Sequence, residues 1–266
     1  MRLHIKHITH YHFSAPVDYG LQQLRLTPKE RVGQHILRWD ISITGGKKEA
    51  AFDDQHANHV DLISITPGNT SISIDCEGEV DVSSCDGIVG QHQGMMPLWC
   101  FMRPTPLTRP GPKIRALLTA LGQGFSGDIA RAHALSALIV QQVPYTTGVT
   151  DAGTSAEEAM QAGCGVCQDH AHIFITAARL LGHPARYVSG YLLMNDRVEQ
   201  DATHAWAEVY LEGIGWIGFD VSNGYSPDDR YIRVATGLDY RDASPVLGMR
   251  YGAADENMMV QLQVQQ

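Results

Sequence analysis

Cysteine is scarce in this chain: five residues among 266, at positions 76, 85, 100, 164 and 167. An odd, thinly spread set does not build a secreted disulfide framework, and the thiols are expected to be reduced. No apolar run approaches the roughly 18 residues of a spanning helix. The opening Met1-Arg2-Leu3-His4-Ile5-Lys6-His7 is polar and alternating, without the apolar centre of a signal peptide. Cations are also short, with 20 Lys and Arg against 29 Asp and Glu for a formal charge of −9. That balance argues against nucleic-acid binding, which rests on neutralised phosphates, and disfavours polyanionic substrates. No loop has the acidic density of a calcium site, and internal repeats and low-complexity tracts are lacking. These absences predict a cytoplasmic protein with no membrane or nucleic-acid partner and no cofactor. Its oligomeric state is not readable.

What is present centres on Gly163-Cys164-Gly165-Val166-Cys167-Gln168-Asp169-His170-Ala171-His172. It leads into Ala171, Phe174, Ala177, Ala178 and Leu181, whose spacing of three and four predicts a helix with one buried face. Gly182 and Pro184 supply the stop. Cys167 therefore falls at a helix start, where the positive end of the macrodipole favours a thiolate. Downstream, His204-Ala205-Trp206-Ala207-Glu208-Val209-Tyr210-Leu211 alternates, as does Trp216-Ile217-Gly218-Phe219-Asp220-Val221, with the turn Glu212-Gly213-Ile214-Gly215 between them. If Leu211 pairs with Gly215, Trp206 faces Asp220 and His204 lies diagonal to it on the same face. A one-residue slip would separate them, and the apolar pattern opposes that slip. The residues thus offer a Cys–His–Asp set in chain order.

Those stretches carry a resemblance. Gly165-Val166-Cys167-Gln168-Asp169 before a helix, His204-Ala205-Trp206 on a strand and Gly218-Phe219-Asp220 are similar to motifs of the bacterial transglutaminase-like superfamily, whose members are often described as cysteine proteases. The likeness extends to Tyr145, Gly148, Thr154-Ser155-Ala156-Glu157-Glu158-Ala159, Asn223-Gly224 and Asp239-Tyr240, and the first part of the chain resembles that family's β-rich N-terminal domain. The resemblance implies a papain-like core with Cys167, His204 and Asp220 as the triad. It also implies an aromatic at Tyr145, the candidate second oxyanion donor beside the backbone N–H of Cys167.

Read for organisation, residues 1–96 form a β-rich unit. Short strands such as Ile36–Ile43, with Leu37, Trp39, Ile41 and Ile43 on one face, are broken by Gly45-Gly46, Pro67-Gly68-Asn69 and Asp86-Gly87, which suggests a sandwich or open barrel. Residues 97–112 are a connector with prolines at 97, 104, 106, 110 and 112. Residues 113–266 hold helices followed by antiparallel strands, an α+β core. Asp128 is placed as the cap of a helix with the stripe Ile129, Ala132, Leu135, Leu138 and Ile139, and Ser155 with Glu158 fits a capping box. Val234-Ala235 and Met259-Val260 are candidate edge strands. The histidines at 4, 10 and 12 share a strand face and read as solvated rather than metal-binding, since no Cys or carboxylate stands at ligand spacing.

The chemistry expected is acyl transfer on a peptide or protein amide: attack by Cys167, proton transfer by His204, orientation by Asp220, and a thioester passed to water in preference to an amine. Gln168 is a weaker oxyanion candidate, Trp206 is expected to wall the cleft beside His204, and Asp169 suits the helix dipole. Cys164 with Cys167 makes C-x-x-C, so Cys164 is a possible redox partner of the nucleophile, though a small filled site is the simpler reading. Gln168 excludes a c-type haem motif, and His170 and His172 would point about 200° apart on a helix, against a zinc site. A silent transglutaminase-fold binding module and a redox or metal Cys–His protein stand as the alternatives.

Overall fold

The computed structural model describes residues 1–251 and 255–266. Six strands come first: β1 (Arg2–Phe13), β2 (Tyr19–Leu24), β3 (Gln34–Thr44), β4 (Gly46–Asp53), β5 (His59–Ile65) and β6 (Ser71–Val82). After β7 (Ile88–Gly90) come the helices α1 (Pro112–Leu121), α2 (Asp128–Gln142), α3 (Ala156–Ala162) and α4 (Cys167–Leu180). The chain then runs through β8 (Ala185–Leu192), β9 (Glu199–Gln200), β10 (His204–Leu211), β11 (Gly215–Phe219), β12 (Tyr231–Gly237), α5 (Tyr240–Ala243), β13 (Val246–Tyr251) and β14 (Glu256–Gln265). This is an α+β arrangement with a β-rich N-terminal part.

The strands form three sheets, ordered β3-β6-β1-β14-β9, β13-β2-β5-β4 and β12-β8-β10-β11-β7. The first two face each other as a sandwich. Tyr11, Phe13, Ile72 and Ile74 of one sheet share a core with Leu24, Ile63 and Ile65 of the other. In β1 every second residue from Leu3 to Phe13 points inward, buried His7 and Thr9 among them, which leaves His4, His10 and His12 on the outer face. Leu37 departs from the expected stripe of β3. A bulge between Ile36 and Arg38 shifts the register, and Leu37 is 47% exposed.

The sheets cross the divisions drawn from sequence. β7, within 1–96, pairs with β11 of the core sheet, while β13 and β14, within 113–266, pair with β2 and β1. Composition marks turns and prolines, but not which sheet a strand joins. The proline-bearing stretch also holds a short 3₁₀ turn, Leu98–Met102.

Helix α4 lies on β8 and β10, with α1, α2 and α3 around it. Every residue from Asp169 to Arg179 is buried, so the helix is enclosed on all sides rather than along one stripe. Gly182 ends it with a φ of 92°. Ser155 and Glu158 form the expected capping box on α3, and the neighbouring Glu157 accepts the backbone N–H groups of Gly111, Lys113 and Ile114 at the start of α1. Two expectations for α2 fail. Its N-cap is Gly127, because Asp128 is already helical and turns its carboxylate to Arg131, and Ile129 is 41% exposed. Among the described residues no helix is long and apolar enough to cross a membrane.

Candidate functional site

Two loops set Cys167 at the start of α4. Thr146 N–H donates to Gly165 O at 2.8 Å, and Gly165 N–H to Pro144 O at 3.3 Å, stitching the segment around Tyr145 to the turn before the helix. Asp169 closes that turn. Its Oδ2 accepts Val166 N–H at 2.8 Å and the Thr150 hydroxyl at 2.7 Å, which is half of a capping box, since valine has no side-chain acceptor to return the bond. Gly165 is needed here because a Cβ would stand 2.8 Å from the Asp169 side chain. Burial raises the Asp169 carboxyl, and its Oδ1 has no partner. The backbone N–H of Cys167 is one of the donors that a helix start leaves open, and no bond to it occurs among the described residues.

The hairpin brings the imidazole and carboxylate to the same place. Its ladder runs from Leu211↔Gly215 to Ala207↔Phe219, the register the apolar alternation requires. His204 Nε2 then lies 2.6 Å from Asp220 Oδ2. Asp220 is fully buried and well supplied with donors: the Tyr231 hydroxyl at 2.6 Å, the Asn223 side-chain amide at 2.7 Å and the Asn223 backbone N–H at 3.2 Å. Burial alone would raise this carboxyl, but the His204 charge and these hydrogen bonds hold it below its ordinary value. For His204 burial alone would lower the imidazole. The charge and hydrogen bond of Asp220 outweigh it, with the Cys167 sulfur as a further contributor, and the ring is pushed up to about 10. With Nε2 committed to Asp220, Nδ1 is the nitrogen left for Cys167.

The other sequence candidates are placed as follows. Tyr145 is 53% exposed, its ring edge-on to His170 at 6.1 Å, and its hydroxyl is raised by burial and then by the nearby Cys167. It lies beside Cys167. Gln168 is turned away, its amide donating to Asp151 O at 3.4 Å. Trp206 does not wall an open cleft. At 2% exposure it lies behind the imidazole, stacked on it at 6.2 Å and edge-on to Tyr231 at 5.4 Å, because its strand face is covered. Cys164 and Cys167 are both free, half-buried thiols. His170 bonds Val143 O and the Ser222 hydroxyl, whereas His172 accepts Tyr240 N–H, so the two rings diverge.

Tyr231 and the role of Asn223 escape sequence reasoning. Val234-Ala235 does lie in an edge strand, β12, but every position of that strand is buried, so its pattern does not show which face its first residue takes. Asn223 belongs to an Asn-Gly turn, where its composition is already explained by backbone shape.

Comparison with known proteins agrees with this architecture. Residues 115–221 match the transglutaminase-like superfamily, and residues 3–81 the bacterial transglutaminase-like N-terminal region. An uncharacterized protein of Mycobacterium tuberculosis (strain H37Rv) is 29% identical over 291 residues, spanning 99% of this chain and 91% of that protein. One from Mycobacterium leprae is 24% identical over 278 residues, spanning 98% of each. The crystal structure of a "Putative Cysteine Protease" from Cytophaga hutchinsonii shares the fold, with a TM-score of 0.79 and 23% identity over 100% of this chain and 91% of the other.

Proposed function

As the chain belongs to the transglutaminase-like superfamily, we propose that it is a thiol enzyme that cleaves amide bonds through Cys167, His204 and Asp220. The observation that supports this reading is the His204 imidazole 2.6 Å from a buried carboxylate, with the Cys167 sulfur at a helix start among the groups that raise it. In the reaction the proton of the Cys167 thiol resides on Nδ1 of His204 from the outset, and the sulfur adds to the substrate carbonyl. The oxyanion is met by the Cys167 N–H, with the Tyr145 hydroxyl as the second donor. Collapse breaks the C–N bond, the imidazolium protonates the departing amine, and a thioester remains. Water, deprotonated by His204, then releases the acid and restores the thiol. Asp220, fixed by Tyr231 and Asn223, keeps the ring in one tautomer and offsets its charge. Peptide or protein amides are the proposed substrates, with hydrolysis ahead of transfer to an amine.

The test combines labelling with turnover. At pH 6–7 iodoacetamide should modify Cys167 ahead of the other four thiols, and His204→Ala should remove that preference. A panel of amide and ester substrates, with and without added primary amine, then separates hydrolysis from transamidation. Equal, slow labelling of all thiols, or turnover surviving in Cys167→Ser, would overturn the proposal.

A further inference from the structure

A recess lies away from Cys167. It has a volume of about 950 Å³ and opens between the loops that follow β2, β4 and β6 and the outer face of the core sheet. Lys29, Arg31, Arg186 and Arg233 all line it. Buried Glu208 pairs with two of them, 2.6 Å from Arg186 Nε and 2.8 Å from Arg233 Nε, while Asp54, near Lys29, is taken up by Arg25 at 3.1 Å. Glu30 and Asp53 also border the recess, but they are 59% and 71% exposed and engaged with His35 and His59 at the rim. Three guanidinium groups beside Glu208 leave a local excess of positive charge in a protein whose net charge is −9.

The donors are also unspent. Among the described residues, Arg31 makes no side-chain hydrogen bond, and its Nε is buried without a partner. Arg186 uses only Nε, and a guanidinium face is covered by Trp216 at 3.8 Å, so its two terminal nitrogens remain available. His56, whose side chain is 1% exposed, lines the same recess with Nδ1 unpartnered while Nε2 is bound to Asp242. Lys29 is held by His56 O and the Thr236 hydroxyl, and burial, then Arg233 and Arg186, drives its ammonium well below the ordinary lysine range. Concentrating like charges this way is unfavourable in the empty protein. A multiply charged anion removes the penalty, and guanidinium forks match tetrahedral oxyanions in geometry.

We propose that this recess binds a compact phosphate group, either free or carried on a small molecule for which the remaining volume leaves room. The site is separate from the Cys167 centre and does not depend on the reaction assigned to it.

The test is calorimetric titration of the full chain with pyrophosphate, phenyl phosphate and citrate, at constant ionic strength. Saturable binding of pyrophosphate supports a free anion, and tighter binding of phenyl phosphate supports a carried one. Binding of citrate alone, or of none of the three, overturns the assignment. Arg31→Gln should weaken the phosphate ligand about tenfold or more, and without ligand should melt no lower than wild type, because Arg31 makes no bond to lose. Unchanged affinity in Arg31→Gln would also overturn it. If that variant does not fold, anomalous scattering from tungstate in wild-type crystals decides: density in the recess supports the site, and density only elsewhere refutes it.

Discussion

Tyr231 and His204 converge on one oxygen: the phenol and the imidazole each reach Oδ2 of Asp220 at 2.6 Å. A single buried carboxylate thereby links the first residues of two strands, β10 and β12, that are not neighbours in the sheet. Asp220→Asn should lower turnover by roughly 10²–10⁴-fold, the range typical of losing a triad carboxylate. Tyr231→Phe should cost much less, about tenfold, by freeing the carboxylate to move. Alkylation rates of Cys167 in the two variants measure both effects.

The same pair sets an alkaline limit on stability. The folded imidazole titrates near 10, above its unfolded value of 6.5. Its contribution is fully present below 6.5 and is lost as pH rises through 10, at up to about 1.4 kcal/mol per unit. Urea midpoints should fall across that window in the wild type, and the slope should flatten in Asp220→Asn.

Acid stability has a different origin. Burial lowers His7 to about 4 and His172 to about 3, so each is neutral inside the folded protein. The unfolded chain takes up their protons first, and stability is lost as pH falls from 6.5 through those values. His172→Phe should reduce the steepness of acid unfolding between pH 6 and 4, although it removes a bond to Tyr240 N–H. An unchanged slope would contradict the neutral assignment.

Gly190 pairs with His204 across the β8–β10 ladder. An added methyl would stand 2.1 Å from Ile232 O and 2.7 Å from the Trp206 ring. Gly190→Ala should therefore destabilise by about 1–3 kcal/mol. It should also slow Cys167 alkylation, because the displaced indole is the surface on which the imidazole stacks.

At the helix start, Asp169→Ala should cost about 1–2 kcal/mol through the lost cap. Asp169→Asn keeps an acceptor oxygen and removes a buried charge, so it should stay within about 1 kcal/mol of wild type. Thermal melts of the two variants provide the comparison.

How much of this was legible before the structure depends on periodicity. The β10–β11 register followed from alternating apolar residues, and with it the approach of His204 to Asp220. Helix α4 was visible from its spacing of three and four, but not that it is enclosed on all sides, since that depends on which elements gather around it. β12 was marked only at Val234-Ala235 and is buried at every position, so Tyr231 at its start was hidden. The cationic recess was invisible for another reason: Lys29 and Arg31 meet Arg186 and Arg233 only after some 150 intervening residues have folded, and overall composition pointed the opposite way.

Because Gln265 lies opposite His4, β1 and β14 are zipped together by ten rungs of backbone pairing. A nascent chain released before its last strand would present β1 with one bare margin, open to pairing with another copy. Completion of the first sheet must therefore wait until β14, about 240 residues after β1, has been made. A chain cut before Glu256 should show its defect as self-association at β1.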